Sequence, residues 1–217
     1  MKLNIEHISP VRNPGMKTSK GSYHGLVFSQ KLNRHISTES SLEALTVHLF
    51  DMDPDISWFC EQPDTFEIDH QGTTIKYTPD FVIKRKGKFY FVEVKPARKA
   101  AKAKEQSRLS SIGRHFKDMG YGFVVLTEQQ IRTQPRLNNI KSIARLAGHR
   151  CNKGHMIRVR GLANGAPSVT VGNLNALLAS NDNMPNAYSI IRDGYGTLDM
   201  STPVNDNSVV TFRDEYK

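Results

Sequence analysis

The sequence predicts an α/β fold in which a central mixed sheet is flanked by helices. An amphipathic helical pattern near residue 40 is followed by short strand patterns, a long helical pattern and a further apolar strand. Two of the apolar runs flank the segment 84–88 with its single Gly87, which is typical of a β-hairpin. Helices that alternate with strands in this way indicate a layered α/β core.

The composition indicates an acidic partner. The chain has 217 residues, and its 38% hydrophobic content is sufficient for one large domain or two small ones. A net charge of +9 favours a nucleic acid as the partner, with an anionic membrane as the second choice. No apolar run approaches the length of a membrane span, and the N-terminus lacks the apolar core of a signal peptide. We therefore expect a cytoplasmic protein with no membrane partner.

An N-terminal arm is expected over residues 1–34. Prolines, glycines and scattered charges replace any clear periodicity in this segment, so we expect extended or partly ordered chain. Its basic residues Arg12, Lys17 and Lys20 would contact DNA phosphates. The alternative is a solvated terminus with no such role.

The first helix is expected from Thr38 to the Asp53-Pro54 pair, which would end it. Its apolar stripe consists of Leu42, Leu45 and Leu49. Glu43 lies near the start of this helix and has two interpretations. In the first, it faces the sheet as a catalytic carboxylate. In the second, it forms a capping box with Ser40, which lies three residues earlier.

The predicted hairpin carries charges at positions where a buried strand is normally apolar. Strands are expected at residues 56–61 and 65–68, and the hairpin strands at 81–83 and 89–94. Antiparallel pairing across the short loop brings Asp80 alongside Glu93. Glu93 and Lys95 lie two residues apart on a strand, so they point to the same face. Two carboxylates and a lysine then meet at one end of the sheet, where hard oxygen ligands suit Mg²⁺ or Mn²⁺.

A basic helix is expected directly after the hairpin. It covers residues 97–119, ends at Gly120 and precedes a buried strand at 121–126. Solvated helix faces usually mix both signs of charge, whereas this one is strongly basic and is therefore expected to contact DNA phosphates. The residues proposed for this contact are Arg98, Lys99 and Lys102.

The C-terminal part of the chain is also basic. No acidic residue occurs from residue 129 to residue 181, which indicates contact with DNA or with an acidic partner. Helices are expected at 137–147, 174–178 and 185–191, followed by short strands at 197–200 and 208–212. The residues proposed for DNA contact are Arg136, Lys141 and Arg145. The alternative is a small helical domain that only packs on the core.

The order of motifs resembles the PD-(D/E)xK nuclease superfamily. A glutamate on a first helix, Pro79-Asp80 at the start of a strand and Glu93-Val94-Lys95 at the end of the next strand form its pattern. Over about residues 29–128 the chain is similar to TnsA, the endonuclease subunit of heteromeric cut-and-paste transposases. The segments that carry this similarity are Glu39-Ser40-Ser41-Leu42-Glu43, Phe50-Asp51, Glu61-Gln62-Pro63, Tyr77-Thr78-Pro79-Asp80-Phe81 and Glu93-Val94-Lys95-Pro96.

The resemblance implies both a fold and an activity. It implies a restriction-endonuclease-like nuclease domain at residues 35–130 and a basic, winged-helix-like domain at residues 131–217. Glu43, Asp80 and Glu93 would bind the metal, and Lys95 would be the motif lysine. Some members carry glutamine at the position of Glu93, so this chain is expected to have a more complete set of metal-binding carboxylates.

TnsA-like proteins cut the 5′ strand at each transposon end, together with an RNase H-like transposase subunit and an ATPase regulator subunit. The resemblance therefore implies double-stranded DNA with transposon ends as the substrate, the same protein partners and a bacterial cytoplasmic location. Two other functions remain open. The chain would otherwise be a stand-alone restriction or repair nuclease, or a non-catalytic DNA-binding assembly subunit.

The residue types suit phosphodiester hydrolysis. One or two Mg²⁺ ions would neutralise charge in the transition state and activate water, with Mn²⁺ as a possible substitute. The carboxylates and the Val94 carbonyl would supply oxygen ligands, while Lys95 would orient or deprotonate the water or stabilise negative charge. The alternative for Glu93 and Lys95 is an exposed ion pair, which contributes only about 0–1 kcal/mol.

Overall fold

The computed structural model describes residues 5, 10, 25–181 and 183–213. The chain divides into two compact units, Met1–Ile131 and Arg132–Lys217. The proposed DNA contacts at Arg12, Lys17 and Lys20 lie outside the described residues. Within the described residues, no helix is both long enough and apolar enough to cross a membrane.

The first unit contains a hairpin where the sequence predicted the end of an arm. Strand β1 (Gly25–Ser29) pairs antiparallel with β2 (Arg34–Thr38). Ile36 is fully buried in the core, and the Lys31 ammonium group donates to three backbone carbonyls, those of Phe50, Asp53 and Ile56. Residues 25–34 therefore do not belong to an extended arm, contrary to the prediction. These contacts join segments about 20 residues apart, so local periodicity did not reveal them.

Helix α1 (Ser41–Met52) begins after Ser40 and ends at Asp53, close to the predicted bounds. It is followed by β3 (Ile56–Glu61) and by a second hairpin, β4 (Phe66–His70) with β5 (Thr73–Tyr77). The turn of this hairpin has positive φ at Gln71 and Gly72, as a two-residue turn between antiparallel strands requires. The sequence predicted the first of these two strands but not β5.

A central sheet of four strands forms the core of the first unit. It contains β3, β6 (Phe81–Arg85), β7 (Lys88–Val94) and β8 (Gly122–Leu126), in the order β3-β6-β7-β8. The first three strands pair antiparallel, while β7 and β8 pair parallel. The predicted mixed sheet is thus confirmed.

The basic helix is broken into two pieces. Helix α2 (Ala97–Ala100) and helix α3 (Ala103–Asp118) are separated by Ala101 and the extended residue Lys102. The prediction of one continuous helix was wrong at this point, because the segment contains no proline or glycine that would mark the break. A short helix α4 (Glu128–Ile131) follows β8 and ends the unit.

Both faces of the central sheet are buried, which explains the continuous apolar runs of its strands. One face joins a cluster with α1 that includes Phe50, Phe81 and Val92. The other face joins a cluster with α3 that includes Phe91 and Phe116, whose rings stack 4.0 Å apart. Asp80 at the start of β6 and Glu93 near the end of β7 therefore lie together at one end of the sheet, which we call the catalytic edge, between α1 on one face and α3 on the other.

The described residues of the second unit, 132–181 and 183–213, form four helices and a small sheet. Its elements are α5 (Arg136–Leu146), α6 (Lys153–Leu162), β9 (Ser168–Thr170), α7 (Val171–Ala179), α8 (Ala187–Arg192), β10 (Gly196–Thr197) and β11 (Val209–Phe212). The three strands are antiparallel, and β11 lies between β10 and β9. The sequence did not predict α6, and the first of its two expected C-terminal strands is shorter than the predicted 197–200.

Candidate active site

The β6–β7 hairpin places Asp80 opposite Glu93. Phe81 pairs with Val92, so the next position outward in the antiparallel register joins the two acidic residues. The Asp80 side chain is fixed by the Val94 N–H, which donates to its Oδ2 atom at 2.6 Å. The Asp80 carbonyl accepts a hydrogen bond from the Gln62 N–H at 2.9 Å. Asp80 is therefore anchored to both neighbouring strands.

Glu93 and Lys95 form a buried pair. Glu93 is only 7% exposed, and its Oε1 atom lies 2.8 Å from the Lys95 ammonium group, whose side chain is 18% exposed. The other carboxylate oxygen accepts a hydrogen bond from the Tyr77 hydroxyl at 2.8 Å. This arrangement excludes the alternative of an exposed ion pair on a solvated strand.

Helix α3 adds two residues that the sequence analysis did not assign to the site. Glu105 lies 2.5 Å from the Lys95 ammonium group and 2.9 Å from the Arg108 guanidinium. Arg108 in turn lies over the Tyr77 ring, 5.2 Å from its centroid. The only available signal was that Glu105 is the one acidic residue between positions 97 and 117. Lys95 is thus held between two carboxylates.

Glu43 caps helix α1. Its carboxylate accepts hydrogen bonds from the Glu39 N–H at 2.8 Å and from the Ser40 hydroxyl at 2.7 Å. The Ser40 hydroxyl accepts the Glu43 N–H in return, at 3.1 Å. These are the capping contacts that the second interpretation of Glu43 predicted. Glu43 caps the helix and is also part of the acidic cluster, because its carboxylate interacts electrostatically with those of Asp80 and Glu93.

Comparison with known proteins identifies this part of the chain. Residues 53–128 match the family model described as TnsA-like endonuclease N terminal. The segment is therefore similar to the N-terminal domain of TnsA-like endonucleases, and we refer to the part of the first unit that contains it as the TnsA-like domain. The predicted resemblance is confirmed for it, and the match includes Asp80, Glu93, Lys95 and Glu105. Glu43 and the second unit lie outside the matched residues. The chain matched no curated protein.

The pKa of Asp80 in the TnsA-like domain is strongly perturbed. The pKa of Asp80 is raised to about 8, first by burial and then by the nearby charges of Glu93 and Glu43, against the opposing effects of the Val94 N–H and Lys95. Burial also raises the pKa of Glu43. Burial and the repulsion between carboxylates therefore both disfavour the ionised forms of Asp80 and Glu43.

Lys95 responds in the opposite sense. Burial disfavours its charged form, but the hydrogen bonds and charges of Glu105 and Glu93 outweigh this effect and raise the pKa of Lys95. On Glu105, burial is outweighed by Lys95 and Arg108, which lower the pKa of that carboxyl. Lys95 is therefore a protonated ammonium group at neutral pH.

The carboxylates of Glu43, Asp80 and Glu93 are the kind of oxygen ligands that suit a hard divalent cation. Among the residues that the structure describes, no three His, Cys, Asp or Glu side chains are already arranged as a metal site. The raised pKa of Asp80 nevertheless reflects its burial and the nearby negative charges of Glu93 and Glu43, and a bound cation would offset both effects. The hydrogen bonds already accepted by Glu43 and Glu93 do not exhaust their oxygens, because an ionised carboxylate has about four lone-pair sites.

The basic residues that were predicted to contact DNA divide between the two units. Arg98 and Lys99 are exposed on α2, and Lys102 is exposed between α2 and α3. In the second unit, Lys141 and Arg145 are exposed on α5, one turn apart. Arg136 is half-buried at the start of the same helix. DNA contact by these six residues stays a prediction.

Proposed function

We propose that the protein is the metal-dependent DNA endonuclease subunit of a heteromeric transposase and that it cuts the 5′ strand at transposon ends. The observation that carries this proposal is the buried edge where Asp80 lies opposite Glu93 with Lys95 beside them. That edge lies inside the segment that matches TnsA-like endonucleases. Its two carboxylates would bind a cation, and the Lys95 ammonium group would contact the phosphodiester.

The proposed metal ligands are the carboxylates of Glu43, Asp80 and Glu93 and the carbonyl of Val94. Mg²⁺, or Mn²⁺ in its place, would supply charge neutralisation and an activated water. The protein's own part is to hold the ligands in place. The Val94 N–H orients Asp80, and the Tyr77 hydroxyl orients Glu93.

Lys95 would act as a fixed positive charge. Its raised pKa keeps it protonated at neutral pH, which favours stabilisation of a negatively charged phosphate oxygen over deprotonation of the water. Glu93 and Glu105 bind the ammonium group from two elements, β7 and α3. This contact would keep Lys95 oriented before DNA binds.

The second unit would recruit DNA and partner proteins. Its order of helices and strands, with β11 between β9 and β10, supports the winged-helix-like assignment. The exposed Lys141 and Arg145 on α5 supply positive charge for DNA. An RNase H-like transposase subunit and an ATPase regulator subunit are the partners that we propose for the complex.

A metal titration with an active-site variant tests the proposed activity. Cleavage of duplex DNA that carries transposon ends should require Mg²⁺ or Mn²⁺ and should stop on addition of EDTA. Asp80→Ala should lower the cleavage rate by at least about 100-fold while leaving DNA affinity within a few-fold. Cleavage without a divalent cation, or at the wild-type rate in the variant, would refute the assignment. Unchanged transposition in the variant would instead support the non-catalytic assembly subunit.

A further inference from the structure

A basic cavity lies beside Lys95 in the TnsA-like domain. Its volume is about 440 Å³, within the range of about 300–1,000 Å³ that is typical of ligand pockets. Positive side chains dominate its lining, which includes Lys95, Lys99, Lys102, Lys104 and Arg108 together with one carboxylate, Glu105. The break between α2 and α3 brings these residues together, because it lets the ends of both helices contribute to one wall.

The charge inside this cavity is not balanced by the protein. Glu105 already binds Lys95 and Arg108. The ammonium groups of Lys99, Lys102 and Lys104 form no ion pair with any residue that the structure describes. Like charges at this density repel one another, so an anion is the occupant that would stabilise them.

The start of helix α3 adds to the same preference for an anion. Lys102 occupies the N-cap position with extended backbone, and its side chain does not cap the helix. The first N–H groups of an α-helix have no acceptor within the helix, and they carry the positive end of its dipole. In a helix of 16 residues, they form a favourable place for a phosphate.

The opposite wall of the cavity comes from the β4–β5 hairpin, which contributes His70 and Ile75. This hairpin is fastened to α3 by two side-chain hydrogen bonds. The His70 ring is 3.0 Å from the Ser111 hydroxyl, and the Gln71 amide donates to the Ser107 hydroxyl at 3.1 Å. The cavity is therefore built by elements that are held together before any ligand binds.

We propose that this cavity binds a backbone phosphate of the DNA strand that is cut, next to the scissile phosphate. The proposal rests on the proposed nuclease function and adds a substrate subsite to it. Lys95 links the two positions, because it lines the cavity and also contacts Glu93 at the catalytic edge. Lys99 and Lys102 are the residues that bind this second phosphate.

The test compares a double variant, Lys99→Gln with Lys102→Gln, with the single variant Lys88→Gln. Lys88 is also exposed, but it begins β7 and lies six residues, or about 20 Å, from Val94. Duplex binding is measured in the full-length protein with Ca²⁺ over a range of salt concentrations. Each lost phosphate contact should lower the slope of log affinity against log salt by about 0.9, so the double variant, which loses the contact with one phosphate, should lose about 0.9 in slope. A double variant with the wild-type slope would overturn the proposal, as would an equal loss in Lys88→Gln.

A scan of the DNA identifies the phosphate itself. Single methylphosphonates, which are uncharged, are placed one at a time along the strand that is cut. One position beside the cut should weaken wild-type binding about tenfold but should weaken the double variant no further, whereas other positions should act equally on both proteins. Identical profiles for the two proteins would overturn the subsite. Competition by millimolar inorganic phosphate that removes the difference between the two proteins would assign the cavity to a free anion and also overturn it.

These measurements report binding, so they separate the two proposals. A wild-type protein for which one methylphosphonate position acts only through Lys99 and Lys102, but which never cleaves even with its partner transposase, would refute the nuclease function and retain the phosphate site. A protein that cleaves with Mg²⁺ but gives identical profiles would retain the function and refute the subsite.

Discussion

Asp80→Asn is expected to stabilise the metal-free protein at high pH while it abolishes cleavage. The pKa of Asp80 is about 8 in the folded protein, against an ordinary value of 3.8. The folded state therefore binds more protons than the unfolded state between about pH 4 and pH 8. The stabilising contribution of the protonated carboxyl is present below pH 4 and is lost as the pH rises to 8 and above. Asparagine remains neutral throughout and avoids this loss.

The size of the effect follows from the same two values. The pKa of Asp80 in the folded protein is about 4 above its ordinary value, which corresponds to at most about 6 kcal/mol in free energy of unfolding, at about 1.4 kcal/mol for each pKa unit. Glu43 shares the repulsion with Asp80 and has a raised pKa itself, so it can take up a proton in place of Asp80, and we expect about 2–4 kcal/mol at pH 9. The amide oxygen of asparagine can still accept the Val94 N–H, so this contact should survive.

The measurement is urea unfolding of wild-type and Asp80→Asn protein in EDTA at pH 5, 7 and 9. The advantage of the variant in free energy of unfolding should be small at pH 5 and should grow toward pH 9. Asp118→Asn, at an exposed position at the end of α3, is the control and should change the free energy by less than about 0.5 kcal/mol. A difference between wild type and Asp80→Asn that does not change with pH, or a variant that is less stable at pH 9, would refute the electrostatic reasoning.

Three further predictions concern the neighbours of Asp80. Mg²⁺ should raise the free energy of unfolding of the wild type at pH 8 but have a much smaller effect on Asp80→Asn, as thermal melts with and without the ion would measure. Glu105→Gln should lower the rate of single-turnover cleavage about 10- to 100-fold with little change in DNA affinity, because Lys95 loses one of its two orienting carboxylates. Glu105→Asp should recover part of this loss. A variant that loses DNA affinity but keeps its cleavage rate would contradict the assigned role. Tyr77→Phe should destabilise the fold by about 1–3 kcal/mol in urea unfolding, because the buried Glu93 loses its hydroxyl donor, and an unchanged midpoint would show that this bond contributes nothing.

The catalytic edge was accessible from the sequence because its geometry is local. The hairpin turn at residues 86 and 87 fixes the register of β6 and β7, and this register alone places Asp80 opposite Glu93. The order of motifs along the chain also carried the resemblance to TnsA, which the match over residues 53–128 confirms. Both inferences required only neighbouring residues or their order in the chain.

The residues that surround the catalytic edge could not be predicted from the sequence in the same way. Tyr77 comes from β5, and Glu105 and Arg108 come from α3, so only tertiary packing brings them to Lys95. Local spacing did predict the cap that Glu43 forms, but not how close its charge would lie to Asp80. The β1–β2 hairpin and the break before α3 also lack a local signal, because contacts with distant segments stabilise the first and no proline or glycine marks the second.

Strand assignment in the assembled complex tests the central claim most directly. A transposon-end duplex labelled separately on each strand is incubated with Mg²⁺, this protein and a partner transposase whose own active site has been inactivated. The expected result is a cut on the 5′ strand at the transposon end, which disappears when Asp80→Ala protein replaces the wild type. An uncut 5′ strand with wild-type protein, or a cut that persists with Asp80→Ala, would contradict the account.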